Sequence, residues 1–142
     1  MENLIYFTTA WLDPYLMLLT AIGTFAGIYV GAIPGLSVTM TVSILISFTF
    51  KWDVNDALAL IAGIYVGGVY GGGRTAILLN IPGAPSAIAT AFDGYPLAKK
   101  GLAGEAIGLT TVMSFIGGMV GVLTLAIAAP IISDFAIKFT SR

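Results

Sequence analysis

Apolar residues run almost unbroken along this chain, and the informative positions are the few that interrupt them. Charge is absent from Pro14 to Phe50, from Ala57 to Gly73, from Thr75 to Phe92 and from Ala106 to Ser133. An ionised side chain at mid-bilayer costs several kcal/mol on most scales, so charge-free runs of this length mark candidate membrane segments. Short polar turns separate them, Lys51 to Asp56 and Asp93 to Glu105. The first run is too long for one span of about 20 residues and short for two spans with an outside loop. It must therefore break inside, and the break is legible at Gly31-Ala32-Ile33-Pro34-Gly35-Leu36-Ser37, because proline removes an amide donor and glycine frees the backbone. The pattern predicts a helix, a non-helical elbow at membrane depth, then a second helix over about Val38 to Phe48. A matching elbow is expected at Asn80-Ile81-Pro82-Gly83-Ala84-Pro85-Ser86. Irregular backbone inside a bilayer is tolerated only where protein or a wet cavity satisfies it.

Composition agrees. The 142 residues are 58% hydrophobic and only 9% charged, with a mean hydropathy of +0.99, whereas a soluble domain carries roughly a quarter of its residues as charge. The expected fold class is an all-α, polytopic integral membrane protein whose transmembrane helices are interrupted at two Pro-Gly elbows, with residues 1–142 forming a single transmembrane domain. Met1-Glu2-Asn3 carries an acid where a signal peptide carries basic residues, so the start reads as retained. Trp11 and Tyr15 mark the start of the first span, Trp52 the end of the first run and Tyr95 the long turn, because amphipathic rings favour the headgroup level. For orientation, Lys99 and Lys100 compete with Lys138 and Arg142 for the cytoplasmic side.

Glycines recur at intervals of four, at Gly23, Gly27, Gly31 and Gly35, at Gly63, Gly67 and Gly71, and at Gly117 with Gly121. Each set lines one helix face and allows backbones to approach closely where lipid supplies no hydrophobic drive. The hexapeptide AGIYVG occurs twice, at Ala26–Gly31 and at Ala62–Gly67. No single offset aligns both the hexapeptides and the elbows, so the repeat reads as a reused packing motif.

The absence of His and Cys removes imidazole bases, thiolate nucleophiles and the usual zinc sites. The net charge of −1, with no basic stripe, argues against nucleic acid as a partner. There is no GxSxG elbow or Ser–Lys pair within a span, and Gly67 to Gly73 lack the ending of a phosphate loop. No enzyme and no cofactor are expected.

Three features could carry a ligand. Arg74 is the one charge between Asp56 and Asp93, and a guanidinium offers five donors in a fork that matches a carboxylate. The competing reading is an arginine that snorkels to the interface or pairs with an acid. At each elbow, a helix start exposes unpaired amides worth about half a positive charge, and a helix end exposes carbonyls. Transporters use such ends for anionic substrates and for Na⁺ or H⁺ coupling. Small hydroxyls follow both breaks, Ser37, Thr39 and Thr41 after the first, Ser86 and Thr90 after the second, while Asn80 precedes the second. The competing reading is a pair of ordinary proline kinks repaired by Ser and Thr. Ser37, Thr39, Arg74, Asn80 and Ser86 are the candidate substrate contacts.

The runs GIYVGAIPGLSVTM and GGVYGGGRTAILLNIPGAPSAIATAFDGYPLAKKGLAGEAIG closely resemble the large membrane subunit of the tripartite tricarboxylate transporter family, over about Leu16 to Pro130. The family's motifs fall on Gly31, Pro34, Gly35, Gly71, Gly72, Asn80, Pro82, Gly83 and Pro85, and on Asp93-Gly94-Tyr95-Pro96-Leu97. The resemblance implies a multi-pass subunit of a bacterial inner (cytoplasmic) membrane carrier. It would work with a small membrane subunit and a periplasmic solute-binding protein to import citrate-like carboxylates on a Na⁺ or H⁺ gradient, without ATP. Family members are several times longer, so this chain corresponds to an N-terminal portion. The alternative is a non-transporting membrane fragment or a glycine-packed assembly subunit.

Overall fold

The computed structural model describes residues 13–140; the expectations for Met1-Glu2-Asn3, Trp11 and Arg142 lie outside them. Every regular element among the described residues is helical: α1 (Pro14–Ala32), α2 (Val38–Thr49), α3 (Val54–Leu79), a 3₁₀ turn (Pro85–Ala87), α4 (Ile88–Lys99) and α5 (Ala103–Thr140). The chain divides into two compact units, 1–107 and 108–142. Helix α5 begins in the first and forms the described part of the second. Helices α1, α3 and the Ala103–Ala129 stretch of α5 are long and apolar enough to cross a membrane, whereas α2, with 12 residues, reaches only about 18 Å.

Helix starts follow from local chemistry. Asp13 caps α1 by accepting from the Tyr15 amide at 2.9 Å, with Pro14 in the first turn. Asp53 caps α3 by accepting from Asn55 N–H at 2.9 Å, with Asp56 in its first turn. Each satisfies a backbone donor that has no partner within the helix. The first elbow closes through Ile33 N–H to the Val30 carbonyl and Leu36 N–H to the Ile33 carbonyl, both at 3.2 Å. Gly35 sits there at φ +93°, a conformation that side chains resist.

The side chains are distributed as a lipid solvent requires. The buried residues of α1 are Leu19, Gly23, Gly27 and Gly31, while Leu18, Ile22, Phe25 and Tyr29 are exposed. On α5, Leu109, Phe115 and Leu123 are exposed as well. Small residues inside and large apolar ones outside fit association by backbone approach rather than by hydrophobic drive.

That approach occurs between α1 and α3. A Cβ on Gly23 would run into Leu60 and Ile64, one on Gly27 into Ile64 and Gly68, and one on Gly31 into Gly68. From the other side, Gly63 faces Thr20 and Thr24, Gly67 faces Thr24, and Gly71 faces Ile28. Numbers rise together on both helices, so α1 and α3 run parallel. Both copies of AGIYVG serve this one seam, which is why the motif recurs without a duplicated fold. Parallel neighbours require a return path, and α2 supplies it. The level of Gly68 lies about 21 Å above the start of α3 at 1.5 Å per residue, close to the 18 Å of α2 plus its connection at Phe50 to Asp53.

Four expectations are corrected. Arg74 does not end a segment: α3 runs through it to Leu79, because a charge costs solvation without breaking backbone hydrogen bonds. The Thr75–Phe92 run is accordingly no single span, and holds the last turn of α3, the second elbow and the start of α4. Asp93 lies inside α4, and the actual turn is at Lys100 to Leu102, with Gly101 at φ +83°. Gly35 belongs to the elbow and not to the glycine face, and a Cβ there meets nothing within 4 Å. The short second helix stands as expected, at Val38–Thr49.

Candidate functional site

The two elbows, far apart in sequence, meet. Asn80 ends α3 in the left-handed region at φ 57° and donates its N–H to the Thr75 carbonyl. The chain then doubles back, and Gly83 N–H reaches the Gly72 carbonyl at 3.4 Å. A Cβ on Gly83 would lie 2.8 Å from the Gly72 Cα and nearer still to the Gly31 carbonyl oxygen. Gly31, Gly72 and Gly83 therefore form a three-way backbone contact joining the end of α1, the upper part of α3 and the second elbow. The Thr75 hydroxyl, buried, donates to the same Gly72 carbonyl at 3.0 Å. Beyond the contact, Ala87 and Ala91 pack on Ala76, and Gly94 lies against Ile77, so α4 climbs along the last turns of α3.

One turn below Gly72 the same face of α3 receives α2. The methyl groups of Val38 lie against Gly68, where a Cβ would come within 2.6 Å. Residues four apart share a helix face and differ by about 6 Å in height. The start of α2 and the segment that leads into α4 thus converge on adjacent turns of one glycine face. Ser37, the N-cap of α2, makes no side-chain cap bond; its hydroxyl shares a 2.9 Å hydrogen bond with that of Thr39. The Thr41 hydroxyl donates to the Ser37 carbonyl at 3.3 Å. At the other start, Ala84 offers no side-chain cap, Pro85 opens the 3₁₀ turn and Ser86 is exposed. The first amides of a helix lack acceptors within it and carry partial positive charge.

Of the residues singled out from sequence, Gly31, Gly72, Gly83 and the Ser37 end of α2 come together. Gly71 instead packs on Ile28 within the α1 seam. Pro34 and Gly35 shape the first turn, and Pro82 and Pro85 the second. Asn80 stands eight residues past Gly72, about 12 Å up the helix, and its left-handed backbone is what reverses the chain. Arg74 follows Gly72 by two residues, which turns it about 200° around α3. It lies off the elbow contact, on the flank toward α1. There its guanidinium lies over the Tyr70 ring, with its carbon 4.2 Å from the centroid, and Nη2 donates to the Tyr70 hydroxyl. Arg74 Nε is buried and without an acceptor.

Gly68, Tyr70 and Thr75 escaped the sequence reading. Tyr70 carried a usable signal, since it precedes Arg74 by four residues and so shares its face. Gly68 carried none that separated it from its glycine neighbours.

The pattern of the family described as tripartite tricarboxylate transporter TctA matches residues 17–142. A relative from Agrobacterium vitis, described as an uncharacterised 52.8 kDa protein, is 43% identical over 133 residues. The match covers 94% of this chain and 26% of that relative, so the chain spans about a quarter of its length. No solved structure matches. With a family pattern covering nearly all of it and its glycine and proline motifs placed at the helix seam and the elbows, this multi-pass membrane chain belongs to the tripartite tricarboxylate transporter TctA family.

Proposed function

We propose that the chain is a membrane part of a secondary carrier that imports tricarboxylates or similar carboxylates, with a carboxylate group received where the start of α2 and the second elbow converge. The observation that carries this reading is the placement of Val38 and Gly83 on adjacent turns of one face of α3. The amides at the start of α2, beside a small, side-chain-poor surface, suit an anion at low desolvation cost, since backbone dipoles need no counter-charge of their own; at the second elbow Ala87 and Ile88 N–H already donate to the Ala84 and Pro85 carbonyls. Ser37, Thr39 and Ser86 add hydroxyl donors at the same ends. Asn80 and Arg74 lie off this face and enter as outlying contacts.

In this reading the carrier works in a bacterial inner membrane with a small membrane subunit and a periplasmic binding protein, and entry of Na⁺ or H⁺ supplies the work. The carbonyl end of α1 adjoins the same surface, where the Gly31 carbonyl faces Gly83, and such ends are groups that coupling cations use. The test is uptake of labelled citrate by cells with and without this reading frame, neighbouring genes intact, in the presence and absence of Na⁺. Loss of a saturable, gradient-driven component on deletion supports the reading, and unchanged uptake refutes it.

A second reading, a glycine-packed assembly part that moves nothing, rests on the close seam at Gly27, Gly31, Gly67 and Gly71. The two are separated by Ser37→Ala and Ser86→Ala. Both are silent under the packing reading, and both lower uptake at normal protein levels under the carrier reading.

A further inference from the structure

An arginine that merely escaped the membrane would extend toward the nearer end of its helix. Arg74 lies five residues from the end of α3 at Leu79, yet its side chain turns back a full turn onto Tyr70, away from that end. Two contacts hold it there, the stack at 4.2 Å and the hydrogen bond to the phenol. The fold-back agrees with the tilt of helical side chains toward the N-terminus, but tilt alone provides neither contact. Among the guanidinium's five donors, Nη2 is engaged by Tyr70 and the buried Nε–H has no acceptor. No carboxylate of this chain forms an ion pair with it among the described residues.

We propose that Tyr70 and Arg74 form a second oxyanion contact, apart from the elbow junction, in which Tyr70 is the positioning residue. It holds the guanidinium back along α3, on the flank between the end of α1 and the second half of α4, and the arriving oxyanion supplies the acceptor that the fork lacks. The ligand class is a planar or tetrahedral oxyanion, either a substrate carboxylate or a lipid phosphate. The proposal rests on a carboxylate-carrying role for the protein only where the oxyanion is the substrate.

The experiment measures binding to the protein purified from membranes, with two probes: citrate, and vesicles of phosphatidylglycerol set against phosphatidylcholine. The variants are Arg74→Gln, Arg74→Lys, Tyr70→Phe, Tyr70→Leu and the double variant Tyr70→Leu/Arg74→Gln. For one of the two probes, Arg74→Gln should weaken binding by about tenfold or more, the size of a lost charged hydrogen bond, and Tyr70→Phe by about threefold, because the ring stack remains to hold the guanidinium. Tyr70→Leu should fall between them. Arg74→Lys keeps the charge but loses the fork, and should recover only part of the binding. It also keeps the test open should Arg74→Gln fold poorly.

Positioning predicts that the double variant is no weaker than Arg74→Gln alone, because the residues act as one unit. A loss confined to citrate names the substrate as the oxyanion, and a loss confined to phosphatidylglycerol names the lipid. Arg74 variants that bind both probes as the parent does would overturn the contact and leave the elbow reading standing, since that depends on Ser37 and Ser86. Tyr70 variants that bind normally, or more tightly, while Arg74→Gln fails would overturn the positioning role.

Discussion

Gly83→Ala probes the contact on which the candidate site depends. The added Cβ would lie 2.8 Å from the Gly72 Cα, where carbon atoms prefer about 3.5–4.0 Å. The second elbow must therefore lift from α3 by roughly 1 Å, and it has no flexible side chain to yield, because both neighbours are backbone. Such a lift forfeits a quarter to a half of the dispersion energy along the contact and stretches the 3.4 Å bond from Gly83 N–H to the Gly72 carbonyl beyond use. Overpacking of this kind costs about 1–3 kcal/mol and the lost bond about 1 kcal/mol, giving roughly 2–4 kcal/mol in all. Thermal unfolding in detergent should then occur about 5–15 °C lower. The control is Gly73→Ala, ten residues away on α3, whose Cβ meets nothing within 4 Å; it should gain up to about 1 kcal/mol from helix propensity. Gly72→Ala should resemble Gly83→Ala, and the pair together should cost less than their sum, since one displaced contact serves both. If Gly83→Ala melts with the parent, the elbows do not meet on α3, and no shared surface joins the start of α2 to the second elbow.

Other outcomes follow from the same geometry. Gly67→Ala, whose Cβ would strike the backbone of Thr24, should destabilise by about 2 kcal/mol or more, whereas Gly117→Ala, with open space around it, should change the melting temperature little. Asn80→Ala should cost about 1–2 kcal/mol through its left-handed backbone, while Asn80→Gly should keep the fold. Citrate uptake by the glycine variant then decides the side chain's role: normal uptake removes it from substrate contact, and reduced uptake at normal protein levels keeps it there. Asp53→Ala should cost about 1 kcal/mol as a lost N-cap, read by the same thermal assay, with uptake per folded molecule unchanged.

The sequence by itself determined the membrane class, the two elbows and the start of α2 at Val38, because these rest on local physics: the solvation cost of charge, the missing amide of Pro34 and Pro82, and the backbone freedom of Gly35. It also marked the glycine faces, since a period of four is a property of one helix. It misplaced segment ends at Arg74 and Asp93 because charge governs where a residue prefers to lie, and backbone bonding governs where a helix stops. Only the tertiary structure decided that Gly23, Gly27 and Gly31 meet Gly63, Gly67 and Gly71 in parallel, that Gly83 lands on Gly72 beside Gly31, and that Arg74 turns to Tyr70 instead of joining them. Those pairings depend on the 18 Å return of α2 and on the register between helices, quantities fixed by how backbones fit against one another and carried by no single stretch of residues.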